Sequence, residues 1–306
     1  MNAAARLTVF AAVLLAAFGS AWAVGAAVGP ADAPETDTHA EADRTHSDGG
    51  GDGGHGDDSA TLTADDGALP GLASTVDGYT LVPLRPTLPS GDAVRFAFRV
   101  TGPDGSPVTD YTEAHEKDLH LIVVRRDLSQ FQHVHPVLSG DGVWSVDLDL
   151  TRAGSYRAYA DVVPADLGRN LVLGTDLDVA GEYRPVALPA AATSISVDGF
   201  DVRMTGHPEA GVDTDLTFTV SRDGEPVDDL QPYLGAYGHL VTLRAGDLAY
   251  LHTHPGEDAE PGVAGGPDVE FMTTFPSPGT YRLFLDFQVN GEVRTAELTV
   301  DVGEHR

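Results

Sequence analysis

The sequence contains no cysteine. This absence excludes disulfide bonds, thiolate zinc fingers, cysteine nucleophiles, iron–sulfur clusters and blue-copper sites with a cysteine ligand. Any transition-metal site must therefore be built from histidine, carboxylate or methionine side chains. Methionine is scarce as well, with 3 residues, and this scarcity disfavours a thioether site for Cu(I).

Positive charge is the second deficiency. The 306 residues include 18 basic against 47 acidic side chains, a formal net charge of -29, and Lys117 is the sole lysine. Nucleic acids and anionic membrane surfaces both require a basic face, so neither is an expected partner. Hydrophobic residues make up 42% of the chain, which is enough for packed cores in two or three domains.

The sequence has one long apolar run, from Leu7 to Val28. It follows Arg6 and contains the small residues around Ala23. Residues 1–28 are therefore interpreted as a cleaved signal peptide or as a retained N-terminal membrane anchor, since about 20 apolar residues span a bilayer. Both alternatives predict an extracytoplasmic protein, either secreted or anchored to the cell membrane by this segment.

Residues 29–73 are rich in Asp, Gly and His and poor in apolar side chains. We expect a disordered acidic linker, because such a segment buries too little apolar surface to offset the entropy of ordering. His39, His46 and His55 lie in it without a close His-x-His spacing. A solubilising linker is favoured over a weak metal-collecting tail.

The remainder of the sequence is an internal repeat, with the same short motifs recurring in the same order. The clearest pairs are Val76-Asp-Gly-Tyr79 with Val197-Asp-Gly-Phe200, His120-Leu-Ile-Val-Val-Arg125 with His239-Leu-Val-Thr-Leu-Arg244, His133-Val-His-Pro136 with His252-Thr-His-Pro255, and Gly154-Ser-Tyr-Arg157 with Gly279-Thr-Tyr-Arg282. The repeat predicts two copies of one domain, residues 74–186 and residues 190–303.

Each copy has the pattern of an all-β domain. Short alternating runs rich in Val, Thr, Tyr and Phe are separated by Gly, Pro and Asp turns. About seven strands in roughly 110 residues favour an immunoglobulin-like β-sandwich, with a small barrel as the alternative. We therefore predict two tandem immunoglobulin-like sandwiches after an N-terminal apolar helix and the acidic linker.

A histidine trio with identical spacing is present in each copy. The trios are His120, His133 and His135 in the first copy and His239, His252 and His254 in the second. A polar turn inside each spacing predicts a β-hairpin in which His120 lies opposite His135, Ile122 opposite His133, and His239 opposite His254. Directly opposed residues and their i+2 neighbours share one face. Three converging imidazoles with an open fourth position form a recognised metal site.

Apolar residues share the face of each trio: Ile122, Val124 and Phe131 in the first copy, and Val241, Leu243 and Tyr250 in the second. We therefore expect the histidine-bearing face to point into the core of each sandwich, with the imidazoles at its rim. The alternative interpretation is that the histidines are polar rim residues that cap the core without binding metal.

Several further side chains are candidate ligands. Asp161 and Asp286 end equivalent strands and could complete the ligand set, orient an imidazole, or pair with a nearby arginine. His115 precedes the first trio, and the second copy has Leu234 in its place. The first copy thus has the fuller set of ligands. Met204 and Met272 are expected to be packing or surface residues.

The segment from Glu113 to Pro136, followed by Gly154-Ser-Tyr-Arg-Ala-Tyr-Ala-Asp161, resembles secreted or membrane-anchored heavy-metal-binding-domain-like proteins with immunoglobulin-like domains, the YtkA/FixH-like group. The resemblance covers the first copy well and the second less well. It implies an envelope protein concerned with metal handling, with copper as the expected metal.

These observations predict an extracytoplasmic protein that binds divalent metal for scavenging, delivery or resistance. Cu(II) is favoured because it forms the strongest divalent complexes with imidazole, and Zn(II) is the alternative. A structural or adhesive tandem of the cell envelope is the second hypothesis. The third is a zinc hydrolase with Glu113, Glu116 or Asp161 as general acid or base. Spacings typical of JAMM proteases and cupins are incomplete, and no enzyme is expected. The metal ion is the expected partner, with the membrane as a further partner if the N-terminal segment is retained, and the sequence does not identify a protein partner.

Overall fold

Two β-sandwiches follow one another along the chain. The computed structural model describes residues 69–260 and 262–305, and all the regular structure within them is strand. The prediction of two tandem immunoglobulin-like sandwiches is confirmed. The predicted N-terminal helix and the linker up to residue 68 lie outside the described residues. Among the described residues, no helix is long and apolar enough to cross a membrane.

The first sandwich has ten strands in two five-stranded sheets. The strands are β1 (Thr75–Val76), β2 (Tyr79–Pro83), β3 (Thr87–Leu88), β4 (Gly91–Thr101), β5 (Leu119–Arg125), β6 (Gln132–Val134), β7 (Val137–Leu138), β8 (Trp144–Leu150), β9 (Gly154–Val162) and β10 (Leu171–Val179). One sheet has the order β1-β2-β4-β8-β7 and the other the order β3-β10-β9-β5-β6. Pairing is antiparallel except between β3 and β10.

The second sandwich repeats this plan. Its strands are β11 (Ser194–Val197), β12 (Phe200–Thr205), β13 (Asp213–Arg222), β14 (Glu225–Pro226), β15 (His239–Arg244), β16 (Tyr250–His252), β17 (His254–Pro255), β18 (Asp268–Thr274), β19 (Gly279–Val289) and β20 (Glu292–Val302). The sheets have the orders β11-β12-β13-β18-β17, with β14 on β13, and β16-β15-β19-β20.

Each sandwich has its own apolar core. Phe96, Phe98 and Trp144 are among the buried residues of the first, and Phe218 and Phe271 are among those of the second. Alternate residues of each strand supply these side chains, as expected for two sheets packed face to face.

A tyrosine corner braces each sandwich. The Tyr156 hydroxyl donates to the Arg152 carbonyl at 2.6 Å, and the Tyr281 hydroxyl donates to the Ser277 carbonyl at 2.8 Å. This hydrogen bond to backbone four residues upstream is a mark of the immunoglobulin fold. The repeated Gly-x-Tyr-Arg motif of the sequence encodes it.

A third apolar cluster lies between the two sandwiches, and it changes the interpretation of the histidine-bearing face. Its members come from both copies: Ile122, Val124, Leu128, Tyr159, Val172, Val241, Leu243, Leu248, Tyr250 and Phe284. The residues that share a face with the histidines thus pack against the other sandwich. The opposite face of β5, with Leu121 and Val123, supplies the core of the first sandwich. The expectation that the histidine face points into its own sandwich is wrong.

Aromatic contacts across this interface occur in both directions. Phe131 of the first sandwich stacks on Phe284 of the second, with ring centroids 4.0 Å apart and an interplanar angle of 7°. In the reverse direction, Tyr250 of the second packs on Tyr159 of the first at 5.5 Å. The Tyr159 hydroxyl also donates to the Leu248 carbonyl at 2.7 Å. The two histidine-bearing sheets therefore face each other.

Candidate metal centre

The two hairpins have the predicted register. Ile122 pairs with His133 between β5 and β6, and Val241 pairs with His252 between β15 and β16. In the second copy the chain then changes sheets, because His254 pairs with Met272 of β18. The expectation that His254 would lie opposite His239 is therefore wrong for the sheet pairing. The side chains of His252 and His254 lie outside the described residues.

The first trio forms a compact cluster. One ring nitrogen each from His120, His133 and His135 lies within 4.8 Å of the other two. His120 Nδ1 is 3.1 Å from His133 Nε2 and 3.2 Å from His135 Nε2. Nitrogens bound to one tetrahedral ion at about 2.0–2.1 Å would be roughly 3.3 Å apart. The spacing therefore suits a shared ion.

The outer hydrogen bonds determine which ring nitrogens face the centre of the cluster. His120 Nε2 lies 3.0 Å from the Ala114 carbonyl, which can only accept, so Nε2 carries the proton. His133 Nδ1 lies 2.8 Å from Asp286 Oδ2, so it donates to the carboxylate. The other nitrogens of these rings, His120 Nδ1 and His133 Nε2, lie on the inner side of the cluster, 3.1 Å apart.

Burial keeps His120 and His135 neutral. Desolvation and then the neighbouring His133 lower the pKa of His120 to about 4, and the same two causes lower the pKa of His135 to about 3. Neutral imidazole is the form that binds metal. Metal therefore has little competition from protons at these two rings at neutral pH.

His239 of the second trio lies beside this cluster. Its ring centroid is 6.3 Å from that of His133 and 5.4 Å from that of His115. Its Nε2 donates to the Tyr233 carbonyl at 2.8 Å, as His120 does to Ala114. Burial, followed by His133, lowers the pKa of His239 to about 3. Histidines of both copies thus meet at the interface.

The two predicted aspartates occupy equivalent places and reach across the interface. Asp161 pairs with His120 across β9 and β5, and Asp286 pairs with His239 across β19 and β15. Asp286 accepts from His133 of the other sandwich, and Asp161 accepts from the Tyr250 hydroxyl at 3.2 Å. Asp286 therefore orients an imidazole, although not one of its own copy.

Two tight turns supply the carbonyls that the sequence did not reveal as site groups. Ala114 and Lys117 form an isolated β-bridge that encloses His115 and Glu116, both at positive φ. Tyr233 and Ala236 form the equivalent bridge in the second copy. Two consecutive residues at positive φ are typical of type I′ turns. His115 is thereby brought to 6.0 Å from His120 between ring centroids. In both copies the turn lies the same number of residues before the first histidine of the trio. This repeated spacing is the sequence feature that could have revealed the two carbonyls.

The remaining candidates lie elsewhere. Glu113 and Glu116 are exposed, and Met272 is 54% exposed. Met204 is buried in the core of the second sandwich. Met204 is thus a packing residue and Met272 a surface residue, as expected.

A model for a domain of unknown function, DUF8832, matches residues 74–180 and again residues 195–304. Together the two matches cover most of the chain. The chain belongs to the DUF8832 family. No match was found among curated proteins. The resemblance to the YtkA/FixH-like group therefore stays a prediction.

Solved structures with similar folds include a DUF4426 family protein from Pseudomonas aeruginosa, 10% identical over 38% of this chain and 100% of that chain, with a TM-score of 0.29. The FdeC adhesin of Escherichia coli is 17% identical over 77% of this chain and 65% of that chain, with a TM-score of 0.25. A putative membrane anchored protein from Corynebacterium diphtheriae is 11% identical over 74% of this chain and 59% of that chain, with a TM-score of 0.23. These values are too low to carry any function across.

Proposed function

We propose that this chain is an extracytoplasmic protein that binds one divalent transition-metal ion through His120, His133 and His135, for scavenging, delivery or resistance. Cu(II) is the favoured ion because it stands highest in the divalent affinity order, and Zn(II) is the alternative. The extracytoplasmic location rests on the apolar run from Leu7 to Val28.

The observation that carries the proposal is the convergence of three ring nitrogens, with His120 Nδ1 3.1 Å from His133 Nε2 and 3.2 Å from His135 Nε2. The N–H groups of His120 and His133 are directed outward, to the Ala114 carbonyl and to Asp286. This is the arrangement by which outer partners orient metal ligands.

Metal titration of the full chain, purified without a polyhistidine tag, tests the proposal. We expect one tight Cu(II) event by calorimetry that is lost in His133→Asn and His135→Asn. His207→Asn is the matched control, since His207 is exposed and outside the cluster. The triple variant of His39, His46 and His55 to Asn removes the linker histidines and should retain the event.

Failure of the unaltered chain to bind either metal would overturn the proposal and would favour the structural or adhesive tandem. Tight Zn(II) binding with turnover of an ester substrate would favour the hydrolase. That alternative is weakened by the positions of its acid–base candidates, since Glu113 and Glu116 are exposed and Asp161 accepts from Asn170 and Tyr250.

A further inference from the structure

The outer hydrogen bond of His133 comes from the other sandwich. His133 lies in β6 of the first sandwich, and Asp286 lies in β19 of the second. The 2.8 Å contact between them is shielded from solvent, with side chains 5% and 3% exposed. A hydrogen bond in such a setting is strong, and breaking it leaves a buried charge unpaired.

Asp286 is itself held in place. Its other oxygen, Oδ1, accepts from the Thr295 hydroxyl at 2.6 Å. Its backbone pairs with Thr295 on one side and His239 on the other. The carboxylate is therefore part of the rigid sheet of the second sandwich, and its aim at His133 depends on how that sheet is docked.

Aromatic packing sets this docking next to the site. Phe131 lies just before β6 and precedes His133 by two residues, and Phe284 precedes Asp286 by two residues within β19, so the members of each pair point to the same side of the chain. The stacked rings of Phe131 and Phe284 therefore lie beside the contact between His133 and Asp286. A displacement of one sheet against the other would separate both pairs together.

We propose that Asp286 is a positioning residue for the metal ligand His133, so that the metal site of the first sandwich is complete only when the second sandwich is docked. By thermodynamic reciprocity, a bound ion then tightens the docking of the two sandwiches. This inference rests on the proposed function, and it assigns the second sandwich a part in metal binding that needs no ion of its own.

Four full-length variants test it with Cu(II) as the probe. Asp286→Asn removes the carboxylate, and Phe284→Ala loosens the docking without touching the cluster. Phe131→Ala does the same from the first sandwich, should Phe284→Ala fail to fold. Leu298→Ala is the matched control, because Leu298 is buried in the core of the second sandwich, away from the interface.

We expect Asp286→Asn to weaken Cu(II) affinity about 10–100-fold, as for other outer partners of metal ligands. The phenylalanine variants should weaken it as well, and Leu298→Ala should not. The Cu(II) electron paramagnetic resonance spectrum should change in Asp286→Asn and stay unchanged in Leu298→Ala. Added Cu(II) should slow hydrogen exchange in β15 and β19 of the unaltered chain, and should not do so in His133→Asn.

Unchanged affinity and spectrum in Asp286→Asn and in the phenylalanine variants would overturn the inference and leave the proposed function standing. Equal weakening in Leu298→Ala would also overturn it, because general destabilisation would then explain the loss. Absence of Cu(II) binding to the unaltered chain would overturn both proposals at once.

Discussion

Two buried histidines, His120 and His239, each direct one ring nitrogen to a backbone carbonyl. His120 directs one nitrogen to the Ala114 carbonyl and the other to two neighbouring imidazoles. His239 makes the equivalent bond to the Tyr233 carbonyl. Burial lowers the pKa of both rings, and no carboxylate accepts from either of them in the part of the chain that the structure describes. The folded protein therefore disfavours their protonated form.

This preference predicts acid sensitivity in the metal-free protein. The pKa of an unfolded histidine is about 6.5, whereas folding lowers it to about 4 for His120 and about 3 for His135 and His239. The unfolded chain therefore binds more protons below pH 6.5. The contribution of these rings is complete above that pH and is lost as pH falls toward 3, by up to about 1.4 kcal/mol per pH unit for each ring.

Urea denaturation at pH 7.5, 6 and 5 measures this loss, in a range where most carboxylates stay ionised. The triple variant His120→Gln, His135→Gln and His239→Gln should show a flatter pH dependence of the free energy of unfolding. Parallel curves for the two proteins would contradict the prediction.

At the scale of the element, β5 is the informative strand, because every residue from Leu119 to Arg125 is buried. One face of β5 packs into the core of the first sandwich, and the other face packs against the second sandwich. A strand buried on both faces is encoded as a continuous apolar run. The sequence Leu-Ile-Val-Val after His120 has this form.

A polar substitution tests the second face of this strand. Val124 is 0% exposed and packs between the sandwiches. We expect Val124→Thr to lower the free energy of unfolding by about 1–3 kcal/mol, since it buries a hydroxyl without a partner. Val82 is the matched control, because it is 39% exposed on β2, and Val82→Thr should change stability by less than about 0.5 kcal/mol. Equal effects in a denaturation series would refute the assignment.

The hairpin register was predictable and the environment of its face was not. The two-residue period and the position of the turn fix Ile122 opposite His133, because both are local properties of the chain. Periodicity also shows that Ile122 and Val124 share a face with the histidines. It does not show whether that face packs into the core of its own sandwich or against the other sandwich, because both kinds of burial favour the same apolar residues. The partner of Asp286 was beyond prediction for this reason.

At the scale of the whole molecule, the two sandwiches share an apolar interface and direct hydrogen bonds. Interfaces of this kind couple the unfolding of adjoining domains. The repeat in the sequence predicted the number of sandwiches, but the contact between them joins residues far apart in the chain, such as Phe131 and Phe284.

We therefore expect one cooperative thermal transition, with equal calorimetric and van't Hoff enthalpies, for the full chain. The double variant Phe131→Ala and Tyr250→Ala removes an aromatic side chain from each direction of the interface and should split or broaden the transition. Differential scanning calorimetry distinguishes the two. Two separate transitions in the unaltered chain would show that the sandwiches unfold independently.

The reciprocal aromatic contacts have a consequence for the origin of the chain. Phe131 and Tyr250 are equivalent positions of the two copies, as are Phe284 and Tyr159, so the Phe131–Phe284 contact has its counterpart in the Tyr250–Tyr159 contact. Self-complementary surfaces of this kind are what a two-fold symmetric homodimer presents. The arrangement is what gene duplication and fusion leave when they join the subunits of such an ancestor.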